Sequence, residues 1–222
     1  MSDTLQAIGR ALSADIEGLN TISHNVANVS TPGFRAVRAV PDFSAALGVQ
    51  NRVQLSDGAL SQTGRSYDLA LRGPGFFVVD RDGQPVLVRS GGFHQSASGY
   101  LVDAQGDSVL SADGPVSVPD GKFVVDETGA MSVDGRDLGN LQIVDVAQPE
   151  RLVMVEGGYR YDGEMKEWTG RVAQGAVESS NVDPAEQTLG LIELTRHAES
   201  LQHAYSIYDQ VLDNGINHLG DN

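Results

Sequence analysis

The sequence predicts an α+β fold: the two chain ends supply helices that pair as a discontinuous coiled-coil element, and the residues between them form a mainly antiparallel β domain. Three observations carry this expectation. Each end has a heptad-spaced apolar stripe, the interior consists of short alternating apolar runs separated by Gly turns, and the second stripe begins at an explicit helix start.

The first stripe is Leu5, Ile8, Leu12, Leu19, Ile22 and Val26, spaced as a helical seam, with Asp15 in a slot where an apolar residue is expected. The helix should stop near Asn28, because Val29-Ser30-Thr31-Pro32-Gly33-Phe34 cannot continue it. Pro32 lacks an N–H, and Pro32-Gly33 suits the centre of a type II turn. From Arg35 to about Leu60 no period is sustained, and residues 34–66 are read as a connecting segment.

Strand signals begin where Tyr67, Leu69 and Leu71 alternate with polar or small residues. The run Phe76-Phe77-Val78-Val79 has no polar face and reads as buried on both sides. Asp80-Arg81-Asp82-Gly83 then predicts a hairpin turn, with similar punctuation at Ser98-Gly99, Gln105-Gly106, Asp113-Gly114, Asp120-Gly121, Thr128-Gly129 and Asp134-Gly135. Leu141 to Val146 reads as the last clear strand, ahead of a looser stretch, 148–174, that holds the single tryptophan, Trp168. The second helix opens at Asp183-Pro184-Ala185-Glu186: Asp at the N-cap, Pro at the first helical position, and Glu placed to reach back as a capping box. Its stripe is Leu191, Leu194, Ala198, Leu201, Tyr205, Tyr208, Leu212, Gly215 and Leu219. The expected domains are residues 1–33 with 181–222 as a terminal helical assembly domain, and 67–180 as the β-rich middle domain.

Thirty acidic against fifteen basic side chains leave a formal net charge of −15, which opposes binding to nucleic acid phosphates. No apolar run approaches the roughly twenty residues of a membrane span, so no transmembrane segment is expected. Met1-Ser2-Asp3-Thr4 lacks a basic region followed by an apolar run, so a cleavable secretory signal is not expected. With no cysteine there is no disulfide framework or thiolate chemistry.

Catalytic and ligand motifs are equally sparse. Counting twelve positions from Asp80 reaches Gly91 where a calcium loop needs Glu, and the five histidines form no H-E-x-x-H pair. No nucleophile elbow or phosphate-binding Gly loop is present. The expectation is a non-enzyme with no cofactor, no metal and no catalytic residue. The competing reading from a different class is a soluble enzyme or carbohydrate-binding module, which would need a concave pocket with convergent polar groups in 67–170.

Three ordered motifs resemble those of the axial proteins of the bacterial flagellum, the rod and hook subunits. The first runs from Asn25 through Asn28, Thr31, Pro32, Gly33 and Phe34. The second spans Gln62-Thr63-Gly64, Tyr67 to Phe77, Arg89-Ser90-Gly91-Gly92-Phe93 and Gly99-Tyr100-Leu101-Val102. The third is Gly175-Ala176-Val177-Glu178-Ser179-Ser180-Asn181-Val182. Tyr67, Val88 and Val177 are conservative departures from the family pattern. The chain is similar to rod subunits with one small middle domain, of the proximal-rod type first, with a distal-rod or short hook-type subunit as the second reading.

The resemblance implies a structural subunit of the basal-body rod, a shaft that crosses the periplasm and transmits torque. Its implied partners are further copies of itself, other proximal and distal rod subunits, and the flagellar type III export apparatus, which it would traverse without a cleavable signal. The two terminal stripes would then be seams of helical assembly.

Overall fold

The computed structural model describes residues 2–42 and 48–220, with side chains described for 5–40 and 50–211. Two helices, α1 (Ser2–Ala27) and α2 (Pro184–Gly220), bracket a chain of short strands. The described residues separate into two compact units. One comprises α1, α2 and the described part of residues 37–52; the other comprises 28–36 and 53–182.

In the first unit the expected helix ends hold. α1 stops at Ala27, and Asp183 caps α2, its Oδ1 accepting from the amides of Ala185 at 2.8 Å and Glu186 at 3.4 Å. The Glu186 carboxylate is engaged by Arg38 instead of returning to the cap. Strands Val37–Asp42 and Gly48–Val53 pair in the segment that sequence leaves without a period. Asn25 ties α1 to the first of them, donating to Val37 O and accepting from Val37 N, each at 2.8 Å.

The second unit is antiparallel at every described pairing of its strands. Its ten-stranded sheet runs in the order Val153–Val155, Gly158–Arg160, Gln84–Val88, Phe76–Arg81, Ser108–Ser111, Leu101–Val102, His94–Gln95. Gly114–Pro115, Ile143–Val146 and Met165–Glu167 pair beside that path. Phe76–Arg81 is the hub, contacting Gln84–Val88, Ser108–Ser111 and Ile143–Val146, and its residues Phe76 to Val79 are all buried, as their unbroken apolar run requires. The smaller sheets are Phe123–Val125 with Ala130–Val133 and Arg136–Asn140, Leu69–Arg72 with Arg171–Gln174, and Leu60–Gln62 with Ala176–Glu178.

Turn chemistry follows the sequence closely. Asp82 and Gly83 (φ +53° and +79°) join Arg81 to its partner Gln84, and Asp134 and Gly135 (φ +49° and +80°) join Val133 to Arg136. Both are two-residue loops with positive φ at each position, the type I′ geometry that matches strand twist. Two expectations change. Ala70 is buried along with Leu69 and Leu71, so that strand has no solvent face. The stretch read as loose, 148–174, contains Val153–Val155, Gly158–Arg160, Met165–Glu167 and Arg171–Gln174, each too short to establish a period. Trp168 from that stretch packs against the main core, which Phe77, Val79, Val86, Leu101, Val109 and Met131 help to fill.

Candidate functional site: paired helices and a buried clasp

α1 carries two heptad rows, and the structure tells them apart. Four contacts line up one row against α2: Asn25 with Gln187 (3.0 Å), Ile22 beside Gly190, Gly18 beside Leu194, and Asp15 with His197 (2.7 Å). Residue numbers rise on one helix as they fall on the other, so the helices run antiparallel. The inner row of α1 is therefore Asp15, Gly18, Ile22 and Asn25, spaced three, four, three. Continued by the same spacing it passes through Ala11 and Ile8, both half-buried. Small residues at this row let the helices approach closely: a Cβ on Gly18 would stand 3.2 Å from a Leu194 methyl, and one on Gly190 would stand 3.1 Å from an Ile22 methyl.

The second row, Leu5, Leu12, Leu19 and Val26, repeats every seven residues and stays in solvent, at 42%, 45%, 44% and 50% exposure, with Ile16 beside it at 53%. The seam expected from sequence thus divides. Ile8 and Ile22 belong to the inner row, and Leu5, Leu12, Leu19 and Val26 to the outer one. On α2, Leu194, Ala198, Leu201 and Tyr208 are half-buried, whereas Leu191 and Tyr205 are exposed; the side chains of Leu212 and Leu219 lie outside the described residues. Sequence reading treats Asp15 as an interruption and His197 as a surface histidine. Their mutual hydrogen bond is what it missed, and the Asp in an apolar slot was its only signal.

Apart from Asn25, which stays in the first unit, the three sequence motifs meet in the second unit. Thr31-Pro32-Gly33-Phe34 forms the expected turn, the Phe34 amide donating to Thr31 O at 3.2 Å. Gly33 has φ +70° and packs so closely on the 89–90 backbone that a Cβ would lie 2.3 Å from Ser90 N, which excludes any other residue. Its amide donates to Glu178 O at 2.7 Å. Asn28, one turn earlier, accepts from the Thr31 hydroxyl at 3.1 Å.

Beyond this turn, Arg35 and Arg89 converge on Glu178, and each of the three is only 2% exposed. Arg35 lies 3.1 Å from Glu178 Oε1, and Arg89 Nε donates to Oε2. Arg89 also donates to the carbonyls of Leu71, Gly73 and Gly75, and Arg35 to that of Ser56. Asp57 completes the charge balance, 3.1 Å from Arg35 and 3.2 Å from Arg89. Burial and the neighbouring Arg35 push Arg89 below its ordinary pKa. For Asp57 burial acts upward, but the Gly73 amide and the two guanidiniums outweigh it and hold the carboxyl below 3.8. Asn181 closes the clasp, accepting from the Ala36 amide at 2.6 Å and donating to the carbonyls of Gln54 and Ser56.

A cleft of about 440 Å³ in the middle domain is lined by Arg72, Asp126, Glu127, Arg171 and Gln174 among others. Its polar groups are largely spent on the fold: Arg171 pairs with Glu127, Asp126 accepts turn amides, and Gln174 bonds Val125, Ser66 and Phe123. Among the described residues no cluster of three or more His, Asp or Glu could hold a metal, and no helix is long and apolar enough to cross a membrane.

Comparison with known proteins agrees with this architecture. Residues 5–35 match the flagella basal body rod protein family, 70–136 the flagellar hook protein FlgE/F/G D1 domain, and 173–218 the flagellar basal body rod FlgEFG protein C-terminal region. The chain is 30% identical over 234 residues to the flagellar basal-body rod protein FlgF of Rhizobium meliloti, covering 91% of each chain. It is 29% identical over 237 residues to FlgF of Salmonella typhimurium, covering 92% of this chain and 94% of the relative. To the basal-body rod protein FlgG of Buchnera aphidicola (subsp. Schizaphis graminum) it is 26% identical over 246 residues, with 90% and 94% covered. The chain is a structural subunit of the flagellar basal-body rod and belongs to the flagellar basal-body rod protein family.

Proposed function

We propose that the helix pair is the assembly element of this rod subunit and that α1 works through both of its rows at once. The inner row meets α2 as an antiparallel coiled coil; the outer row, Leu5, Leu12, Leu19 and Val26, meets helices of neighbouring subunits. The carrying observation is that both rows keep heptad spacing while only one is covered. A lone surface helix needs one apolar stripe, and a second of equal regularity serves a second neighbour.

In this reading the two terminal helices form the assembly domain, within the 1–33 and 181–222 expected from sequence, and the strands of 67–180 the middle domain. Contacts between unlike faces of successive subunits, further copies of this chain and other rod proteins, extend a non-closing helical wall. Such a wall transmits torque as part of a shaft crossing the periplasm, after export through the flagellar type III apparatus. A position in the proximal rod is supported by the higher identity to the FlgF relatives than to the FlgG relative.

The test is Leu12→Asp in the full chain, returned to cells lacking the wild-type gene. Rod incorporation and motility should be lost while the purified protein keeps its thermal unfolding within about 0.5 kcal/mol of wild type, as expected of an exposed site. Normal motility would sink the two-row reading.

A further inference from the structure

Two arms of the chain, residues 28–36 and 175–181, bond to one another and to residues 54–68. Neither contributes a residue to the two apolar clusters that make up the core of the middle domain. Residues 178–181 supply partners for three backbone groups of the first arm: Glu178 O takes the Gly33 amide, Asn181 Oδ1 the Ala36 amide, and Phe34 O accepts from Asn181 N. The charges follow the same division. Arg35 and Arg89 are buried, the Asp57 side chain is 42% exposed, and Glu178 is the one fully buried anion between the two guanidiniums. It also accepts from the Gly58 amide at 2.7 Å, which ties in the loop that carries Asp57.

We infer that strand Ala176–Glu178 is a latch, and that residues 28–36 are held in the middle domain only while Glu178 occupies the space between Arg35 and Arg89. Two guanidiniums buried together without that carboxylate repel each other, and removing one partner from a buried ion pair leaves an uncompensated charge. The strand itself is three residues long and pairs with Leu60–Gln62 in a two-stranded sheet, extended by the Ser179 amide on Ala59 O and by the Thr63 and Gly64 amides on Gly175 O, so the ladder fixes the latch on the middle domain while Glu178 fixes the first arm to it. Ordering of the amino-terminal arm is thereby conditional on docking of the carboxy-terminal one. The two arms are set in place together, and a chain whose 175–181 arm has not yet docked keeps its first arm loose. Because the arms stand outside the apolar core, release is a local opening that leaves the central strands intact.

Amide hydrogen exchange on the full chain tests this apart from rod assembly, since it is measured on the isolated subunit. In Glu178→Gln, a near-isosteric change, the amides of Gly33, Ala36 and Gly58 should exchange on the order of 100-fold faster, while those of Val79 and Val86 in the central strands keep wild-type protection. Glu178→Asp keeps the charge but alters the length, and it should open the arm less than Gln. Unchanged protection of Gly33 and Ala36 in the Gln variant would overturn the latch. So would a parallel loss in the central strands, or an Asp variant as open as the Gln variant.

Discussion

The middle domain and the helix pair solve the problem of apolar surface in opposite ways. In the middle domain the large side chains point inward: Phe76, Phe77, Leu69, Leu71, Leu87 and Leu101 are each at most 1% exposed. In the helix pair the contact row is built from Asp15, Gly18, Ile22 and Asn25 against Gln187, Gly190, Leu194 and His197, while leucines of α1 face solvent. The middle domain therefore carries its stability within itself. The helix pair spends small and polar residues on its internal contact and leaves its most regular apolar row in solvent.

The largest expected effect breaks the first half of this contrast. Phe77→Ala, at the centre of the core, should cost about 3–5 kcal/mol in chemical denaturation and abolish the cooperative unfolding of the middle domain at moderate temperature. A loss below about 1 kcal/mol would mean that the core is not the source of its stability. Next, Leu194→Asp places a carboxylate against Gly18, one turn from Asp15. It should remove about 1–3 kcal/mol from the helix pairing, seen as a loss of helical circular dichroism with the β-domain melting transition in place. Simultaneous loss of both signals would show that the two units do not unfold separately.

The smallest effect concerns the clasp and pH. Asp57 has a depressed carboxyl, so its contribution is present above the ordinary value of 3.8 and is lost as pH falls through the lower folded value. Stability of the wild-type chain should fall more steeply below about pH 4 than that of Asp57→Asn, and added salt should narrow the gap because the carboxylate is partly in solvent. Identical acid transitions for the two proteins would remove Asp57 from the charge balance.

Particular residues show where sequence was sufficient. Asp82-Gly83 and Asp134-Gly135 dictate type I′ turns because few other pairs accept positive φ at both positions. Asp183 and Pro184 set the start of α2 through cap chemistry that acts within four residues. The doubly buried Phe76 to Val79 follows from its lack of a polar face. The strands of 148–174 were hidden because three- or four-residue segments give no usable period, and the six-residue pair Val37–Asp42 with Gly48–Val53 because neither strand alternates apolar with polar residues. At the candidate site, Asn25, Gly33 and Phe34 stood out as parts of a motif, but the motif could not disclose its partners. Arg89 and Glu178 stood in the second and third motifs and Arg35 in none, but in a chain with forty-five charged residues nothing local marks any of the three as buried.

Local physics thus determined the elements of this rod protein: which segments are helices, where the first ends and the second begins, how the hairpins turn, and that both ends carry heptad rows. Only the tertiary structure decided which row of α1 meets α2 and which charges are enclosed. Apolarity favours the leucine row as the contact, whereas close approach favours the row with Gly18 and with Asp15 and Asn25, whose partners His197 and Gln187 stand 182 and 162 residues away. Spacing along a chain sets which residues share a face; which face is covered depends on what the rest of the chain brings to it.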